Sequence, residues 1–474
     1  MTHWLIESAK NQLENALHEA NRIQLCSELL DTPAEADFLK IERAAETYEM
    51  AVLDLLSTNS KADEKSDQEY RKYAENAFRL YRVLPTRENN TSEAELRLKL
   101  SSLAVIADKG ADASRLLKEN PWPSLPNNSE YWQERVWASI LEIWLLLIRK
   151  DGWDDRDLVL LRIHSLRDAQ KTFENEYLNN LDTSIAKQSA LELIALYHLA
   201  KAAEILALYI TDGQVEGNFQ IPQLLNAQFD RVLIICSESA MLTLEPLARI
   251  LSVCALQMVE NSIWTVTRAV NSRVTQFVKE LVDRGRGSKA IFDVLPPQRR
   301  TLAEKGLLGS SRRAVVVSLP TSSGKTLIAQ FRMLQALNQF DHEKGWVVYL
   351  APTRTLVNQI TRKIRRDFAP LNINVERVSP ALEVDSIEAS LLSVADTENQ
   401  FRVLVTTPEK LDLMLRQGWE KEIGRPLTLV IVDEAHNIQD ANRGLKLELL
   451  LSTINKECQR AQFLLLTPFV QNAR

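Results

Sequence analysis

The sequence predicts two fold classes in one chain, an all-helical region over residues 1–285 and an α/β region with a parallel sheet over residues 286–474. Three observations carry this. Apolar residues recur at helical spacing before the boundary, as in the run Leu191, Leu193, Ile194, Leu196, Tyr197, Leu199. Glycine changes sides: four of the 13 glycines precede residue 285 and nine stand at or beyond it. Beyond the boundary, short continuous apolar runs alternate with amphipathic ones, the pattern of strands buried on both faces beneath helices.

In the helical region, polar breaks at 57–68, 84–93, 121–129 and 211–218 separate the helices. Small residues facing aromatic ones suggest stacked helix pairs, but no fixed repeat period is present. Its seven tryptophans read as packing residues. In the second region strands are expected at 315–317, 346–350, 403–405, 427–432 and 463–466. Helices are expected at 327–340, 356–368, 410–417 and 445–454. In such sheets ligands collect at the carboxyl ends of the strands.

Composition sets the outer bounds. Hydrophobic residues make up 45% and charged residues 25%, as in a soluble globular protein. Cys26, Cys236, Cys254 and Cys458 stand singly, which favours a reducing compartment over structural zinc. The N-terminus lacks a signal-peptide pattern, and the apolar stretch at 140–148 is short and broken by Glu142. A cytoplasmic protein without membrane contact is expected. The net charge of −6 divides unevenly: residues 1–290 hold 33 Lys+Arg against 43 Asp+Glu, and residues 291–474 hold 24 against 20. A basic run from Arg268 to Arg313 straddles the junction and reads either as a phosphate-binding track or as a solvated linker. The acidic helical region is expected to bind a protein partner or to regulate.

Leu319, Pro320, Thr321, Ser322, Ser323, Gly324, Lys325 and Thr326 lie between an expected strand and an amphipathic helix, where a phosphate-binding loop belongs. Backbone N–H groups and the helix N-terminus surround the phosphates of ATP, Lys325 reaches the β and γ oxygens, and Thr326 ligates Mg²⁺. About a hundred residues on, Asp433, Glu434, Ala435 and His436 close another buried strand. Asp433 is placed to hold Mg²⁺ and Glu434 to orient and deprotonate the attacking water, and His436 completes the catalytic group.

With these two motifs the region resembles the superfamily 2 DExH-box helicases, in their Ski-like branch. Ala351-Pro-Thr353-Arg354-Thr-Leu resembles motif Ia, and Thr406-Thr407-Pro-Glu-Lys410-Leu resembles motif Ib. Arg443-Gly444-Leu-Lys-Leu-Glu448 resembles that branch's signature, and Leu295-Pro-Pro-Gln298 its adenine-reading Q motif. The resemblance covers about residues 290–474 and implies a RecA-like lobe that binds ATP and Mg²⁺ and moves along single-stranded nucleic acid, with DNA favoured. Thr353, Arg354, Thr407, Lys410 and Arg443 are then expected on one face, apart from the nucleotide cleft, holding a sugar-phosphate backbone. The motif III strand departs from the family, keeping only Thr467. The sequence runs only to Arg474, so a second lobe with its arginine finger is expected in a longer enzyme. The layout of a helical extension ahead of a motor looks like bacterial antiviral-defence helicases of the Hachiman type. A signalling NTPase with a helical sensor, or a helicase-derived interaction protein without catalysis, are the alternatives.

Overall fold

The computed structural model describes residues 3–30, 36–58, 64–125, 131–214, 220–239, 241, 243–267, 271–284, 290–309, 312–320, 323–377, 401–416, 424–440 and 443–468. The chain divides into two units: residues 1–262 with 284–292, and residues 263–283 with 293–474.

The first unit is helical, with no strand among its described residues. It comprises α1 (Trp4–Ser8), α2 (Lys10–Leu30), α3 (Phe38–Thr58), α4 (Glu64–Tyr81), α5 (Asn90–Ile106), α6 (Gly110–Glu119), α7 (Trp132–Arg149), α8 (Trp153–Thr172), α9 (Thr183–Asp212), α10 (Ile221–Ser239) and α11 (Leu244–Asn261). Each expected polar break falls at a helix junction. Asn89 caps α5 by accepting from the N–H groups of Thr91 and Ser92, and Gly213 ends α9 at φ +65°. Trp132 and Trp144 are core residues, Trp144 against Phe229, whereas Trp4 is 71% exposed and does not pack as expected. Helix α11 packs on α5 and α3, far apart in sequence, so the helices close on one another. A polar tie joins them: Asp108 is 2.7 Å from the Arg71 guanidinium and accepts from the Gln257 amide at 3.3 Å. The longest apolar helix is α9, long and apolar enough to cross a bilayer; 61% of its most apolar window is buried among its neighbours, as in a core helix.

The second unit holds α12 (Ile263–Thr267), α13 (Ser272–Asp283), α14 (Pro296–Arg299), β1 (Ala314–Ser318), α15 (Lys325–Gln339), β2 (Trp346–Leu350), α16 (Arg354–Phe368), β3 (Val375–Arg377), β4 (Val403–Thr406), α17 (Pro408–Arg416), β5 (Leu427–Val432), α18 (Arg443–Glu457) and β6 (Gln462–Thr467). The six strands form one parallel sheet in the order β1-β6-β5-β2-β4-β3. All five expected strands are present. The edge strand β3 was not expected, because Val-Glu-Arg carries no apolar run; the Arg365 side chain grips it, donating to the Val375 carbonyl at 3.0 and 2.8 Å. Strand alternation sorts the side chains by face. Trp346, Val348 and Leu350 of β2 join Leu411, Met414, Leu447 and Leu450 in a core under α17 and α18. Helices α15 and α16 pack on the sheet as well.

The domain boundary differs from the expectation of residue 285. Helix α13 groups with the sheet, because Val274, Phe277, Val278, Leu281 and Val282 bury its apolar stripe. Phe277 meets Phe331 of α15 and Phe368 of α16 edge to face at 5.5 and 5.6 Å. Each such burial contributes roughly 1.5–3 kcal/mol. Several junction cations serve structure: Arg273 pairs with Asp341 at 2.7 Å, the 7%-exposed Arg299 with Glu304 at 3.2 Å, and Arg313 donates to the Asn455 carbonyl. That consumes part of the expected phosphate track; Arg268, Arg286 and Lys289 lie outside the described residues.

Candidate functional site

The loop after β1 leaves the sheet edge with the Leu319 N–H still on the ladder, donating to the Thr467 carbonyl at 3.0 Å. It then folds on itself. The buried Ser323 hydroxyl donates to the carbonyl of the exposed Pro320 at 2.6 Å, and Gly324 turns into α15 at φ +76°. A Cβ at Gly324 would displace the Gln298 amide, and the left-handed backbone there favours glycine. Gln298 is 5% exposed; it accepts from the Leu295 N–H and donates to the Ser323 carbonyl, both at 3.0 Å. The Q-motif glutamine is thereby tied to the phosphate loop. Thr321 and Ser322 lie outside the described residues.

Lys325 and the half-buried Thr326 open α15. The Lys325 ammonium is 3.2 Å from Glu434 Oε1, which brings the loop and the acidic motif together across 109 positions of sequence. Strand β5 delivers the acids: the Asp433 N–H donates to the Leu350 carbonyl at 2.9 Å, one step past the strand end. Glu434 then takes φ +50°, a left-handed conformation that costs roughly 1–2 kcal/mol in a non-glycine residue. This turn sends the Glu434 N–H to Asp433 Oδ1 at 3.0 Å. Burial raises the Asp433 pKa first, opposed by the Tyr349 hydroxyl, and the Glu434 charge adds to the rise. His436 Nδ1 is 3.3 Å from Glu434 Oε2, so the histidine touches that acid.

These residues fit a magnesium nucleotide. A half-buried carboxylate just past a strand end, a threonine hydroxyl at the start of a helix and the ammonium beside it supply the donor set such a ligand needs. Bound magnesium would shield the phosphate charge, while Lys325 would exchange its Glu434 partner for a phosphate oxygen and free that acid to take a proton from water.

The residues expected on nucleic acid sit at helix starts. Thr353 caps α16, its hydroxyl accepting from the Leu356 N–H at 3.3 Å, and Arg354 is exposed beside it. Thr407 precedes α17, which carries the half-exposed Lys410. Arg443 begins α18, its N–H donating to Asp440 Oδ1 at 2.9 Å. Of these five, Arg443 lines a cleft that also touches the two acids, and none of Gln298, Lys325 and Thr326 lines it. This cleft of about 340 Å³ over the ends of β2 and β5 is lined by Pro352, Pro408, Arg443 and Lys446 together with Asp433 and Glu434. The helix starts and the acids share strand ends, so one cleft reaches both.

Three contributors carry no individual role in the sequence motifs. Tyr349 of β2 is fully buried and donates to Asp433 Oδ2 at 2.8 Å; its only signal is a hydroxyl inside an otherwise apolar strand. Lys446 lines the cleft beside Arg443. Gly444 lies so close to the Ile438 carbonyl that any Cβ would strike it, which explains the glycine beside Arg443.

Fold and loop together define a RecA-like P-loop lobe. Residues 296–468 match the model of the DEAD/DEAH box helicase family. The chain is similar to the ATP-dependent DNA helicase Hel308 of Thermococcus kodakarensis, 30% identical over 206 residues, which is 43% of this chain and 16% of that protein. It is also similar to the ATP-dependent DNA helicase MER3 of Saccharomyces cerevisiae, 30% identical over 167 residues, 34% of this chain and 13% of the relative. The DExH-box ATP-dependent RNA helicase DExH14 of Arabidopsis thaliana is 28% identical over 154 residues, 31% and 7%. The chain thus spans less than a quarter of the length of each of these relatives.

Proposed function

We propose that the second unit is the ATP-binding lobe of a magnesium-dependent helicase or translocase that moves along single-stranded nucleic acid, DNA in preference. The observation that carries this reading is the meeting of the phosphate-loop Lys325 with the acidic-motif Glu434 at 3.2 Å. In this reading Thr326 and Asp433 hold Mg²⁺, Glu434 is the base, Gln298 faces adenine, and Thr353, Arg354, Thr407, Lys410 and Arg443 hold the strand. The preference for DNA draws its support from the names of the Hel308 and MER3 relatives. The acidic helical unit is the regulatory or partner-binding part, since exposed carboxylates repel a phosphate backbone.

The test is ATP turnover with single-stranded DNA or RNA, compared between the wild type and Glu434→Gln. Glu434→Gln is expected to keep ATP affinity and to lose about 10²–10⁴-fold in turnover, because the base goes while the metal ligand stays. Unchanged turnover would refute the role of Glu434. Stimulation by RNA and not DNA would reverse the substrate preference.

A further inference from the structure

Tyr349 is the one fully buried hydroxyl-bearing side chain that touches an acid of the DExH motif among the described residues, and neither motif spacing nor the reading above gives it a task. Its place is fixed by the sheet. Strand β2 runs between β4 and β5 with Tyr349 opposite Ile431 and Leu350 opposite Val432. All five of its side chains are buried. Because Trp346, Val348 and Leu350 point into the core under α17 and α18, Tyr349 projects from the opposite face of the sheet, the direction set by strand alternation. From there its hydroxyl donates to Asp433 Oδ2 at 2.8 Å, while the Glu434 N–H donates to Asp433 Oδ1 at 3.0 Å. Each carboxylate oxygen thus has one donor. With both oxygens engaged from fixed positions the carboxylate cannot turn about its Cβ–Cγ bond without breaking one of the two bonds.

We propose that Tyr349 is a positioning residue that presets the Asp433 carboxylate for divalent metal at the nucleotide site. The inference rests on the reading of Asp433 as the magnesium ligand. A ligand carboxylate held by an outer hydrogen bond binds metal without first paying to stop rotating, and loss of such a partner typically weakens metal affinity about 10–100-fold. A purely structural tyrosine would leave metal affinity unchanged and act on folding alone.

Tyr349→Phe removes the hydroxyl and keeps the ring, so the strand keeps its packing. The experiment titrates the 474-residue chain with a fluorescent ADP, first in EDTA and then at rising Mg²⁺, for the wild type, Tyr349→Phe, Asp433→Asn and the double variant, with thermal unfolding recorded for each. In the wild type Mg²⁺ should tighten ADP binding. In Tyr349→Phe, ADP affinity in EDTA should match the wild type, while the Mg²⁺ concentration giving half the tightening should rise about 10–100-fold. On the Asp433→Asn background the added Tyr349→Phe should change nothing further. An unaltered Mg²⁺ midpoint in Tyr349→Phe overturns the inference, as does an equal effect of Tyr349→Phe with and without Asp433. A wild type that binds ADP indifferently to Mg²⁺ instead overturns the magnesium site itself, which separates the two failures.

Discussion

Which residues come together was legible in this sequence where a motif fixes both type and spacing. Lys325, Asp433 and Glu434 stand together as their motifs require, and Gln298 sits against the phosphate loop. Tyr349 was not legible, because a hydroxyl inside an apolar strand is silent until 84 residues of chain bring Asp433 to it. The same holds for buried tyrosines elsewhere. Tyr73 donates to Glu69 Oε1 at 2.7 Å and accepts from the His3 N–H at 3.2 Å. Burial, followed by the Glu69 bond, pushes its pKa from 10 up to about 12. A raised folded-state value means the unfolded chain releases this proton first, so the contribution is whole below pH 10 and lost as pH climbs toward 12. Urea unfolding midpoints across this window should therefore fall more steeply in the wild type than in Tyr73→Phe. Parallel curves would show that Tyr73 contributes nothing to alkaline sensitivity.

At the scale of elements, the sheet was readable because its central strands are buried on both faces and read as unbroken apolar runs, β5 most plainly. Strand β3 escaped because three residues at a sheet edge need only backbone pairing with β4, and Val-Glu-Arg has no period to detect. The domain boundary escaped for a different reason. Helix α13 is amphipathic like the helices before it, and only tertiary contact reveals which core its stripe enters. Phe277 is the centre of that contact. Phe277→Ala should destabilise the second unit by about 3–5 kcal/mol, the usual cost of truncating a buried phenylalanine. Hydrogen exchange localises the effect: protection should drop in β2, α15 and α16 and stay unchanged in α3 to α11. Loss confined to the first unit would restore the boundary at residue 285.

Over the whole molecule, charge and site divide along the same line. Residues 1–290 carry the acidic excess and residues 291–474 the basic one, yet Arg273, Arg299 and Arg313 of the junction are engaged internally by Asp341, Glu304 and a main-chain carbonyl. At the strand ends of the second unit Arg443 and Lys446 share a cleft with Asp433 and Glu434. Everything in this account hangs on the second unit holding a magnesium nucleotide between Lys325 and the Asp433–Glu434 pair. The most direct measurement is calorimetric titration of the wild type and Lys325→Ala with MgATP. Saturable binding by the wild type that Lys325→Ala abolishes is the predicted result. Equal binding by both proteins, or none by the wild type, would contradict it.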